Sequence, residues 1–246
     1  MGNETTSRAK DRLDLVKRFF SVAISIGVGT KLVQAGWIRD GRWPDAGEWD
    51  ALGVILLAIY ATVLSWDNYL ASVEKKPLNG WFRFAIDIFL VIMYTVLIST
   101  ADVPWRWLPI LCVIFSLYVV WDVASIFEFP NSFVRGHRCG DSRVLAIVRA
   151  FTLSVADAPG IDRGPLISLV WAVYFVLIWR IVHEQHPSFS NAWVLSAAGV
   201  GLWLYRRDKE RRGADGARGF KMWQRTVVIV SLLACALVLP TITLKV

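Results

Sequence analysis

Three aspartates stand where acids are rare. Asp67, Asp87 and Asp122 each lie just inside a long apolar run, the first and third near its end and the second near its start. A carboxylate at that depth is expensive and is kept by facing a partner, a cavity or an ion path. Three such groups on different segments, at one level, would form a cation-attracting vestibule or a proton-accepting site. The competing account is local neutralisation. Arg83 stands four residues before Asp87, on the same face of a helix, while Asp67 and Asp122 would be hydrated and paired with loop Lys or Arg. Lys31, toward the far end of an earlier run, either snorkels to the surface or acts as counter-charge to a buried acid or an anionic ligand.

Other constellations are weaker. His183 and His186 are three apart and could share a metal on a helix, but Pro187 follows at once and few other ligands are near. His137, Cys139 and Asp141 alternate between Gly136 and Gly140, which fits a turn better. Asp40, Asp45, Glu48 and Asp50 make one loop acidic without the spacing of an EF-hand. Neither a phosphate-binding glycine loop, nor a dinucleotide fingerprint, nor a Gly-x-Ser-x-Gly elbow, nor a His-Glu-x-x-His pair occurs. The chain therefore reads as more plausibly not an enzyme, and no cofactor is expected.

The elements that must position these residues follow from how charge is distributed. Of the 246 residues 55% are hydrophobic and 19% charged, against about 25% charged in an ordinary globular domain. Nearly all of the charges lie in the stretches between seven apolar segments: Phe19–Ile38, Ala51–Leu70, Phe84–Ala101, Trp105–Phe127, Pro165–Val182, Ala192–Tyr205 and Met222–Thr243. Such blocks match the roughly 20 residues a helix needs to cross hydrocarbon. The expected fold is an all-α integral membrane protein, a single bundle of seven transmembrane helices. A further segment, 142–158, carries Val144, Val148, Phe151 and Val155 at helical spacing, with Arg149 at its centre. It is expected to lie as an amphipathic helix at the membrane surface.

Lys and Arg set the orientation. The N-terminal arm, the second–third, fourth–fifth and sixth–seventh connections are rich in them, and the alternate connections are poor. The rich set belongs inside, so the N-terminus is expected in the cytoplasm and the C-terminus outside. Most of the 13 Trp fall near segment ends, as an aromatic belt would require: Trp66, Trp81, Trp121, Trp203 and Trp223 on the inner side, and Trp37, Trp49, Trp105, Trp107, Trp179 and Trp193 on the outer. The net charge of +7 is accounted for by these topogenic loops and by anionic lipid; nucleic acid is not expected as a partner.

Two functions compete. A channel or secondary transporter for a cation or small polar solute, in a bacterial inner membrane, would use Asp67, Asp87 and Asp122 with Arg83 and Lys31. A short echo between Ala58–Asp67 and Val113–Asp122, both ending Trp-Asp, would fit an internal repeat. Alternatively, a non-catalytic subunit or anchor would dock a cytoplasmic protein or lipid through Arg206, Arg207, Lys209, Arg211 and Arg212. The partners would be the lipid bilayer, a second copy of the chain, or such a protein.

Overall fold

In the computed structural model the described residues are 2–36, 41, 43–45, 48–78, 80–101, 104–129, 142–155, 164–185 and 191–211. They form seven helices and no strand: α1 (Gly2–Gln34), α2 (Trp49–Lys75), α3 (Trp81–Ser99), α4 (Pro104–Glu128), α5 (Arg143–Val155), α6 (Gly164–Gln185) and α7 (Asn191–Arg211). The expected segment Met222–Thr243 lies outside the described residues.

Three helices are long and apolar enough to cross a membrane: Trp81–Ser99, Arg106–Glu128 and Gly164–Glu184. Helix α2 adds a shorter apolar stretch, Ala51–Asp67. In α7 the apolar part stops at Tyr205, because Arg206, Arg207 and Asp208 follow it in the same helix. That helix runs to Arg211, well past the end that apolarity alone gives. Helix α1 differs at its other end. The polar stretch expected as an arm is helical from Gly2, so α1 is about 50 Å long at 1.5 Å per residue, with its apolar part confined to the second half.

Beside an apolar core, some charged residues are covered while large apolar ones are not. Arg83, Asp87, Asp122 and Lys31 are buried, while Ile26, Val63, Phe89, Val113 and Val173 are exposed. On α1 the exposed Leu15, Phe19, Val22, Ile26 and Val33 follow one helical stripe. Apolar surface on this scale marks contact with something apolar, which fits a membrane-embedded protein with three helices long and apolar enough to span. Hydroxyls on the exposed side are closed internally, as hydrocarbon requires: Ser21 and Ser25 donate to the carbonyls of Lys17 and Ser21, at 3.0 and 2.7 Å.

Five helices close a ring by successive contact, α3 to α4 to α6 to α7 to α2 and back to α3. Helix α1 packs outside the ring on α3, and α5 lies across α4 and α6. The centre is apolar and aromatic, with Trp107, Leu111, Phe115, Phe175 and Ile98 fully covered. Close approaches depend on glycine where α1 meets α3, since a Cβ on Gly27 would lie 3.3 Å from Ile98, and where α7 meets α6, since one on Gly201 would lie 2.5 Å from Tyr174. Trp107 and Trp121, expected in the aromatic belt, are instead core residues, 1% and 7% exposed. Trp49, Trp81 and Trp203 are exposed.

The amphipathic segment is helical over most of its expected range, but its inward face is not the valine face. Ala146, Ala150 and Ser154 are buried, with Ala146 and Ala150 clustered against Ile126 of α4, whereas Val144 and Val148 are exposed. Small residues allow α5 to lie close on the bundle and leave its larger apolar side chains for the surrounding lipid. Arg149 is half-buried.

Candidate functional site

The polar residues gather at one end of the bundle. Antiparallel chain direction brings together the start of α3, the end of α4, the start of α6, the ends of α2 and α7, and the middle of α1. Contacts record this directly: Arg12 of α1 donates to the carbonyl of Leu78 at 3.2 Å, Arg83 of α3 meets Glu128 of α4, Ser168 of α6 meets Asp122 of α4, and Arg206 of α7 meets Asp67 of α2.

The three aspartates share that end but not an environment. Asp67 is exposed, its side chain 63% accessible, and it is ion-paired with Arg206. Asp122 is buried, and the Ser168 hydroxyl donates to its Oδ2 at 2.5 Å. Asp87 is also buried; the Tyr69 hydroxyl donates to its Oδ2 at 3.1 Å, while Oδ1 has no hydrogen-bond partner. The expected single acidic level is thus three separate settings. The Trp-Asp echo between α2 and α4 does not carry over to environment either, because one of its aspartates is exposed and the other enclosed.

Arg83 corrects the sequence expectation most sharply. Its carboxylate partner is Glu128, at 3.0 Å, rather than Asp87 one turn along its own helix. The guanidinium is fully covered. It also donates to the carbonyls of Lys76 at 2.9 Å and Pro77 at 3.2 Å, just beyond the end of α2. The planar group lies over the rings of Trp121, 4.6 Å from its centroid, and Phe129 at 5.5 Å. A fork that bonds two carbonyls and a carboxylate while stacking on aromatics is a role lysine cannot fill. Gly80, just before α3, makes room for the carboxyl group of Glu128, which occupies the position of a Cβ. Asp87 is still within the electrostatic reach of both Arg83 and Glu128.

A small cavity of about 20 Å³ opens beside Asp87, lined by Ser65, Trp66, Tyr69, Tyr94 and Tyr118 from α2, α3 and α4 and by Val16 and Phe20 of α1. That volume suffices for one water. Phe20 stacks on Trp66 at 3.9 Å, and Trp66 on Tyr69 at 5.2 Å, so aromatic rings form the wall on the α1 side. The Tyr94 and Tyr118 hydroxyls are hydrogen-bonded to each other, with Ser65 beside both. The lining is largely apolar, and the residues that form it carry a carboxylate, three phenols, an alcohol and the Trp66 indole N–H. No metal-holding group of three or more His, Cys, Asp or Glu occurs among the described residues.

Comparison with protein families, characterised proteins and solved structures finds no match for this chain. The site is therefore read from its own chemistry.

The remaining sequence candidates fall as follows. Lys31 is covered by protein, 6% exposed, and does not extend to the surface. His183 is exposed at the end of α6, its ring 6.1 Å from that of Trp179, and His186 lies outside the described residues. Nearby, Arg180 and Glu184 form an exposed pair one turn apart, the solvated helix end that competed with metal binding there. In the acidic loop, the Asp45 backbone N–H donates to the Glu48 carboxylate at 3.0 Å, and the Glu48 N–H donates to the Asp45 carbonyl at 2.8 Å. The Glu48 carboxylate thus closes a turn before α2 as the glutamate half of a capping box does, while the Asp45 backbone carbonyl takes the return bond. Of the basic run, Arg206 holds Asp67 and Arg207 lies over Trp203 at 5.3 Å. Lys209 and Arg211 belong to α7, and Arg212 lies outside the described residues.

Sequence reasoning did not single out Tyr69, Tyr94, Tyr118, Ser65 or Glu128, and took Trp121 for a belt residue only. Glu128 had a usable signal. It closes an apolar run at the end of the bundle where Arg83 opens another, so an antiparallel pair brings the two within reach.

Proposed function

We propose that this protein is a membrane channel or secondary transporter for a cation or small polar solute, with the Asp87 pocket as its binding site. The observation that carries this is a buried carboxylate, Asp87, with one oxygen outside any well-formed hydrogen bond, among the residues that line a small and largely apolar cavity. Leaving a buried acceptor without a well-formed hydrogen bond costs about 1–3 kcal/mol and more when charged, which a binding role for Asp87 would account for. Seven spans, a cytoplasmic N-terminus, an external C-terminus and a bacterial inner membrane complete the proposal. They are supported by the alternation of Lys and Arg between connections. On that orientation the pocket opens toward the cytoplasmic end.

The alternative, a subunit docking a cytoplasmic protein or lipid through the basic end of α7, is the weaker reading. Arg206 and Arg207 already engage Asp67 and Trp203 within the molecule. Assembly with a second copy of the chain is compatible with either.

The test is flux in sealed liposomes containing the purified protein, with Asp87→Asn compared against wild type. The expected result is loss of cation-driven flux with the same yield and melting behaviour. Unchanged flux in a correctly inserted Asp87→Asn variant would remove the basis of the assignment.

A further inference from the structure

The proposed function leaves the cation unnamed, and we infer that at Asp87 it is a proton, exchanged with the cytoplasmic end of the bundle by way of Ser125 and Glu128. Room is the first argument. The cavity beside Asp87 is about 20 Å³ and its walls are largely apolar, Val16, Phe20, Leu90 and Val91 among them. A proton is the one cation that needs neither volume nor a shell of oxygen ligands. Charge is the second. From the elements packed on α3, the titratable and charged groups that face Asp87 are Tyr69 of α2 and Tyr118 and Glu128 of α4, with Arg83 and Tyr94 on α3 itself, whereas α1 presents Val16 and Phe20. Arg83 is bonded to Glu128, so one negative charge is left, and a proton cancels it. Balance is the third. The Tyr69 hydroxyl donates to Oδ2 at 3.1 Å and the Trp121 indole acts on the same carboxylate, which favours the ionised acid. Burial among apolar walls favours the neutral one. An acid held between these opposing effects exchanges its proton and does not stay in one form.

Ser125 marks the route. Thr62, Ser116 and Ser154 each donate to the carbonyl one turn back in their own helix, which closes a hydroxyl in hydrocarbon. Ser125 is fully buried and its hydroxyl has no partner. It stands four residues after Trp121 and three before Glu128, on the face of α4 that these residues turn to Arg83. On α3 the order is reversed, with Asp87 one turn past Arg83. The seam between the two helices therefore reads Asp87 and Trp121, then Ser125, then Arg83 and Glu128, and the Glu128 side chain at its end is 24% exposed. Loading moves a proton from the Glu128 carboxyl to Ser125 Oγ as the serine hydroxyl passes its own to Asp87 Oδ1, and Glu128 recovers one from bulk water. At each transfer one O–H bond breaks and one forms, and the net change is one proton gained by Asp87.

The inference rests on the transport reading for its biological sense, but proton exchange is measured apart from flux so that each can fail alone. Purified full-length protein in lipid, in choline buffers free of sodium and potassium, is followed by infrared difference spectroscopy between acid and alkaline pH. The Asp87 contribution, taken as wild type minus Asp87→Asn, should be one carboxylic-acid C=O band that appears on acidification and shifts in deuterated water. Tyr69→Phe removes a donor to the carboxylate and should move the midpoint of this band up by about one pH unit. Ser125→Ala should keep the midpoint and slow the rise of the band after a pH jump by about tenfold, whereas Ser116→Ala should not. If Asp87→Asn does not accumulate, Tyr69→Phe and Ser125→Ala carry the test, because both keep the carboxylate. The inference is overturned by wild-type and Asp87→Asn spectra that coincide at every pH, by a band that ignores Tyr69→Phe, or by a Ser125→Ala band that rises at the wild-type rate. Proton exchange at Asp87 without flux in liposomes would sink transport and leave the inference standing; flux lost in Asp87→Asn with no Asp87 band would do the reverse.

Discussion

Two buried carboxylates lie at the same end of the bundle and are treated in opposite ways. On the α4–α6 side, Asp122 is met by the Ser168 hydroxyl, and the neighbouring Asp208 of α7 accepts from the Trp171 indole at 3.3 Å. These acids join helices. On the α3 side, one oxygen of the buried Asp87 makes no well-formed hydrogen bond, while the charge next to it is fixed by Arg83 and Glu128. The difference lies in what surrounds each acid, since both are aspartates on apolar helices. An acid closed by its neighbours acts as a bond between helices; on the proposed function, the other is the acid that meets the ligand.

The contrast can be broken most forcefully at Arg83. Arg83→Met should destabilise the protein by about 3–5 kcal/mol, because it strands Glu128 and removes the balancing charge near Asp87. Reversible unfolding in mixed micelles would measure this, and Arg83→Lys should recover little of it because an ammonium cannot reproduce the fork. The next largest effect is expected on the closed side. Ser168→Ala takes a hydrogen bond from a buried carboxylate and should cost about 1.5–3 kcal/mol while leaving flux per folded molecule unchanged. If flux fell with it, Asp122 would belong to the conducting machinery and the division would fail. Gly201→Ala should cost about 1–3 kcal/mol, since the added methyl would displace the Tyr174 ring, whose hydroxyl donates to the Ala197 carbonyl at 2.8 Å. The smallest effect belongs to the exposed aspartate. Arg206→Gln should change stability by less than about 1 kcal/mol, read in the same unfolding assay.

The long apolar runs were legible because lipid selects for them. Phe84–Ala101, Trp105–Phe127 and Pro165–Val182 recover α3, α4 and α6 to within about three residues. The ends of α1 and α7 were not legible, because a helix continues past the apolar boundary when its own hydrogen bonds suffice, and hydropathy marks the solvent rather than the helix. The site was half legible. Charge in an apolar run pointed to Asp87 and Arg83, but the helical spacing that joined them is a local rule, and a longer-range pairing overrode it. Trp121 lies about as far after the α3–α4 connection as Arg83 lies before it, so the indole faces the guanidinium and Glu128 comes within reach near the helix end. The tyrosines carried no signal, because a phenol in an apolar run is as common in packing as in binding. Lys31 shows the same limit: a position near a segment end says nothing of which way the side chain turns.

The bond between Arg83 and Glu128 also bears on how the chain enters the bilayer. Alone, α3 would carry an arginine and an aspartate in its first two turns, at the edge of the hydrocarbon, with the arginine's acid partner missing. The neutralising acid arrives only with the final residue of α4. The pair α3–α4 is therefore the smallest unit that can cross with this charge compensated, and it should leave the insertion machinery as a hairpin, with α3 held back until Glu128 has been synthesised.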